Sequence, residues 1–142
     1  MKIILDSSVL ISFLNEDDIF YVTTGKFIKQ LLKNKEIIII LPIIILLEVA
    51  NVLGRKKRDF KEDYIFSIFQ RYEILDINLN FARSLLPLFR QIHLKTSDAI
   101  ILGTAIMNKA TLVTWDEKLE KEAKKFIDVR TPKTFLTTSL LE

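Results

Sequence analysis

The residues of this chain that could do chemistry are acids. Cysteine is absent and His93 is the single histidine, which excludes thiolate nucleophiles, zinc–thiolate sites and two-histidine mechanisms. Any metal must therefore be held by oxygen. Asp6 closes a short apolar run, Asp116 lies two residues beyond the run ending at Thr114, and Asp98 opens the apolar stretch that leads into that run. An aspartate after a strand is ordinarily a helix cap or turn former. Glu48 and Asp98 are different, because each sits in a segment with little polar surface: Ile43-Ile44-Ile45-Leu46-Leu47 and Val49-Ala50 flank the first, and Ala99-Ile100-Ile101-Leu102 follows the second. A buried, unpaired carboxylate is costly, so it must be protonated, paired with a base or bound to a cation. Neither apolar segment contains a basic residue, and the economical solution is a divalent ion shared by the acids. Mg²⁺ suits such a site because it is hard, prefers oxygen and accepts few carboxylates while keeping waters. Such ions activate water and stabilise charge on phosphate, which is phosphodiester hydrolysis without histidine or cysteine.

The elements that must position these acids alternate. Residues 2–5 read as a strand, and Ser7 or Ser8 can cap a helix to about residue 14. Residues 19–32 place apolar side chains at mostly helical spacing with Lys26, Lys29 and Lys33 between them. A strand at 37–41, ended by Pro42, precedes a helix at 43–53 stopped by Gly54. Helices at 61–72 and 79–91 flank a short strand at 73–77. Thr96 or Ser97 caps a helix to about 108, followed by a strand at 110–114, a helix at 116–125 and a strand at 126–129. This pattern predicts an α/β fold, a three-layer α/β/α sandwich around a parallel sheet, in a single domain over residues 1–142. In such sheets ligands gather at the carboxyl ends of strands, where Asp6 and Asp116 fall.

Apolar residues make up 49% of the chain, enough for a real core, and the net charge of +3 favours a polyanionic partner only weakly. The Ile-rich stretch at 37–53 falls short of a membrane span and carries Pro42 and Glu48, so it reads as strand, break and helix rather than a membrane helix. The first residues reach an aspartate after three apolar residues, too soon for a secretory signal, so the expected location is the cytoplasm.

Asp6-Ser7-Ser8, Leu46-Leu47-Glu48-Val49, Ser97-Asp98-Ala99-Ile100-Ile101 with Gly103-Thr104-Ala105, and Thr114-Trp115-Asp116 resemble the successive motifs of PIN domains, especially the VapC toxins of toxin–antitoxin pairs. Thr131-Pro132-Lys133-Thr134-Phe135 is similar to how many such proteins finish. The resemblance implies a Mg²⁺- or Mn²⁺-dependent endoribonuclease with an acidic quartet of Asp6, Glu48, Asp98 and Asp116. It implies supporting roles for Ser8 and Thr114, which Asn51, three residues beyond Glu48, can join. RNA is then the substrate, an antitoxin protein the partner, and a homodimer the expected assembly, with apolar helices such as 60–72 available to form it. Gln91-Ile92-His93-Leu94 lacks a glycine often present before the third acid of relatives, a departure that bears on loop shape.

Arg55-Lys56-Lys57-Arg58 follows the Glu48 helix and is either an RNA-phosphate contact or a solvated charge run. Trp115 could stack on a base, although packing is the commoner role of a lone tryptophan, and His93 reads as structural. Two other functions fit the residues less well: a PIN-like module that binds RNA or a partner without cleaving, against which the complete quartet argues, and a small-molecule Mg²⁺ phosphohydrolase, in which an Asp would be expected where Ser8 stands. DNA as the substrate stays open.

Overall fold

The computed structural model describes residues 1–56 and 61–138. Strands β1 (Lys2–Leu5), β2 (Ile38–Pro42), β3 (Glu73–Leu75), β4 (Thr111–Val113) and β5 (Val129–Arg130) form one all-parallel sheet in the order β3-β2-β1-β4-β5. Around it lie α1 (Ser7–Leu14), α2 (Tyr21–Lys33), α3 (Ile44–Arg55), α4 (Glu62–Phe69), α5 (Leu79–Leu85), α6 (Thr96–Asn108), α7 (Glu117–Ala123) and α8 (Pro132–Thr138). This is the three-layer α/β/α sandwich expected. β1 is central, with Ile3, Ile4 and Leu5 fully buried, because a parallel strand covered on both faces is apolar throughout rather than alternating.

The chain builds β1, β2 and β3 outward to one edge and then returns past β1 to lay down β4 and β5. The strand order therefore reverses at β1. Ile4 pairs with Ile40 on one side and with Leu112 on the other, and the carboxyl ends of β1 and β4 diverge into different helices. A crevice opens at such a reversal. α6 closes the sheet near it, packing on β1, β2 and β4 through Ile101, Leu102 and Ala105, all fully buried. Gly103 makes room on another side of α6, where the side chain of Leu85 from α5 fills the space that a Cβ would take. Lys109, in left-handed conformation at φ 51°, ends α6, and the Ala110 N–H donates to the Ala105 carbonyl at 3.0 Å as the chain turns into β4.

Several boundaries differ from the sequence reading for local reasons. Asp6, not Ser7 or Ser8, caps α1, since its carboxylate accepts from the Ser8 N–H. Gly54 does not stop α3, which runs on to Arg55 with the Lys56 N–H still reaching the Val52 carbonyl at 3.1 Å. The helix expected at 79–91 breaks because Pro87 has no N–H to offer the Arg83 carbonyl. Leu86 donates there instead at 3.3 Å, and a 3₁₀ turn, Leu88–Arg90, follows. Neither Thr96 nor Ser97 caps α6; Lys95 holds the cap position with no side-chain bond. α8 was not anticipated as an element. Its Phe135 meets Phe27 of α2 edge-on, ring centroids 5.2 Å apart. The Ile-rich stretch divides into β2 and α3 as expected, and no helix among the described residues is long and apolar enough to cross a membrane.

Candidate active site

Asp6, Glu48, Asp98 and Asp116 line one cleft of about 320 Å³ at the carboxyl ends of β1 and β4. Each arrives by a different device. Asp6 is the residue after β1, fixed in place by capping α1, and its backbone N–H donates to the Val113 carbonyl at 2.9 Å. Asp116 caps α7, its Oδ1 accepting from the N–H groups of Lys118 and Leu119 at 2.9 and 3.0 Å. Asp98 sits in the first turn of α6, where the helix dipole favours an anion. Glu48 reaches in from the middle of α3, with Asn51 one turn further along lining the same cleft.

A hydroxyl network ties the two strand ends together. Ser8 Oγ donates to Asp6 Oδ2 at 2.6 Å, and Thr114 Oγ1 donates to the same oxygen at 2.8 Å. Ser8 Oγ in turn accepts from the Trp115 N–H at 3.0 Å, and Thr114 Oγ1 accepts from the Asp116 N–H at 2.9 Å. The side-chain bonds to Asp6 thus fall on Oδ2, which leaves Oδ1 as the oxygen available to a ligand.

The electrostatics are those of crowded anions out of water. Burial drives the Asp6 carboxyl above its ordinary range, opposed by the bonds from Ser8 and Thr114, and the charge of Glu48 adds to the rise. Asp98 is pushed up to about 6, first by burial and then by the charges of Asp6, Asp116 and Glu48, with Lys95 pulling the other way. Glu48 Oε2 is buried with no hydrogen-bond partner among the described residues. As the side chains stand, no three acids among the described residues form a group able to hold an ion. Their oxygens face a common space all the same.

Sequence reasoning missed Lys95. The apolar part of α6 contains no base, but Lys95, the residue just before it, reaches Asp98 Oδ2 at 3.9 Å, and the spacing of three residues was the available signal. Arg55 also lines the cleft, whereas Lys57 and Arg58 of the same basic run lie outside the described residues. Trp115 is a packing residue: it stacks on Phe20 with centroids 4.0 Å apart, and its indole N–H donates to Thr24 at 2.9 Å. His93 is exposed and does not line the cleft.

Known proteins share the fold. The chain superimposes on the Mycobacterium tuberculosis VapC20, a sarcin–ricin loop cleaving toxin, with a TM-score of 0.71 and 16% identity over 90% of this chain and 98% of the other. A toxin–antitoxin complex from Klebsiella pneumoniae matches with a TM-score of 0.68 and 21% identity, over 91% and 96% of the two chains. VapBC2 from Rickettsia felis, bound to a DNA fragment from its promoter, matches with a TM-score of 0.66 and 19% identity, over 92% and 98%. At such identities these likenesses speak to fold. No curated protein matches the sequence. The family model described as PIN domain matches residues 3–125, which take in every acid of the cleft, and the chain belongs to the PIN domain family.

Proposed function

We propose that this protein is a Mg²⁺- or Mn²⁺-dependent endoribonuclease that hydrolyses RNA phosphodiester bonds as the toxin of a type II toxin–antitoxin pair in the cytoplasm. The observation that carries the reading is the gathering of Asp6, Glu48, Asp98 and Asp116 around one cleft in which Glu48 Oε2 is buried without a partner. An orphaned buried carboxylate oxygen beside three further acids fits a hard divalent cation, which would balance charge that the protein leaves uncompensated. When bound by this quartet, the ion supplies Lewis acidity and the means to generate a nucleophile from water. The protein's own groups do the positioning. Ser8 and Thr114 hold Asp6 Oδ2 and thereby aim Oδ1, the backbone of α7 holds Asp116 Oδ1, and the first turn of α6 holds Asp98. Asn51 adds a neutral polar group to the same wall. An antitoxin protein and a second copy of the chain are the partners that accompany this reading. Toxin–antitoxin complexes among the structural neighbours support it, as do the exposed Tyr64 and Phe66 of α4.

The test is incubation of purified protein with a defined RNA. Fragments are expected with Mg²⁺ or Mn²⁺, none with a chelator, and RNA left intact across varied sequences in both metals overturns the proposal. A single-stranded DNA of the same sequence in parallel decides the substrate class. Thr114→Val keeps the shape of the side chain while removing its bonds to Asp6 and Asp116. Turnover is expected to fall about 10- to 100-fold. Chemical denaturation should show a loss of about 1–3 kcal/mol, because the partners stay buried.

A further inference from the structure

Among the described residues, two cations as well as four acids line the cleft, and the placement of the cations differs. Arg55 stands at the end of α3 and Lys95 just before α6, so they enter from separate elements. The backbone of Lys95 is anchored, since its carbonyl accepts from the Ala99 N–H at 3.0 Å. Its side chain is not: it is 68% exposed, and its Nζ rests 3.9 Å from Asp98 Oδ2, at the outer edge of ion pairing. An exposed pair of this kind holds its partners weakly. Lys95 is therefore a cation on a fixed base and a flexible stem, free to change partners at little cost. Among the described residues, four carboxylates against Arg55 and Lys95 leave a formal excess that one divalent ion would balance.

Building on the nuclease reading, we infer that Lys95 is a phosphate-positioning residue. It shields Asp98 while the acids lack an ion and, once they are neutralised, turns with Arg55 to grip the backbone of a nucleic acid at the mouth of the cleft. The two halves of this exchange pull in opposite directions, which separates it from a merely structural role. Removing the ammonium should tighten binding of the ion, because a competitor for Asp98 is gone, and loosen binding of the nucleic acid.

The experiment compares wild type with Lys95→Met and Lys95→Arg, using Mg²⁺ alone by calorimetry and a fluorescent, uncleavable 2′-O-methyl oligoribonucleotide by anisotropy in Mg²⁺. For Lys95→Met, oligonucleotide affinity is expected to fall about tenfold, and its salt dependence to lose the slope of one phosphate contact, about 0.7. Mg²⁺ affinity should rise severalfold, and Lys95→Arg should keep the oligonucleotide affinity. An unchanged salt slope, or weakening of both ligands together, overturns the role of Lys95 while wild-type binding leaves the nuclease reading standing. A wild-type protein that binds no oligonucleotide overturns both.

Discussion

On the proposed nuclease reading, Asp6→Asn is expected to lower the rate of RNA cleavage about 10³-fold, a loss of ~4 kcal/mol of transition-state stabilisation, without unfolding the protein. The substitution separates the two duties of this side chain. As a cap of α1, asparagine serves about as well as aspartate, and its carbonyl oxygen can still accept from the Ser8 N–H and from the hydroxyls of Ser8 and Thr114. As a ligand to a hard cation, a neutral amide is far poorer than a carboxylate, and Glu48, already in the same cleft, cannot supply the missing negative charge. Single-turnover cleavage at saturating Mg²⁺, alongside circular dichroism to verify the fold, measures the effect. A variant keeping more than about a tenth of the wild-type rate would remove Asp6 from the site, given the size of effect expected for a group acting at the reaction centre.

Asp98→Asn should move activity and stability in opposite directions. The Asp98 carboxyl in the folded protein is pushed up to about 6 from its ordinary 3.8, so the native state holds that proton more tightly than the unfolded chain does. Its favourable contribution is complete below pH 3.8 and is lost as the pH rises through about 6. At pH 7.5 in a chelator, the wild-type protein therefore holds Asp98 as an ionised, desolvated acid in the same cleft as Asp6, Glu48 and Asp116. Asparagine relieves this by about 1–2 kcal/mol, less a few tenths for the anion lost from the first turn of α6. Urea unfolding should show the variant to be more stable at pH 7.5 and level with wild type near pH 4, with Mg²⁺ stabilising wild type alone. Cleavage should fall as steeply as for Asp6→Asn. A variant less stable than wild type at pH 7.5 in chelator contradicts this account of the cleft.

What could be read in advance depended on whether the signal was local. The runs at residues 2–5 and 110–114 are short and largely apolar, as buried strands are, and Glu48 and Asp98 stood out because each interrupts an apolar segment with a charge. These features placed all four acids on the correct elements. Lys95 escaped notice because it lies outside the apolar stretch and meets Asp98 only through the reach of its stem around the start of α6. Trp115 read as more commonly a packing residue, but its partner Phe20, distant in sequence, could not be read in advance. Gly54 has ordinary signals of a helix end, yet α3 runs one residue beyond it, since the Lys56 N–H still finds the Val52 carbonyl. Pro87 was the reverse: its missing donor breaks a helix whose apolar spacing continues through it.

The bond from Thr114 to Asp6 joins residues 108 apart in the chain. During synthesis the first acid of the cleft emerges long before the strand that completes its surroundings, and Asp116 follows later still. A ribosome that has not yet passed Asp116 thus carries a nascent chain in which the quartet is unassembled. If the folded protein attacks RNA, the order of the strands delays that hazard until β4 and the residues just after it have been made.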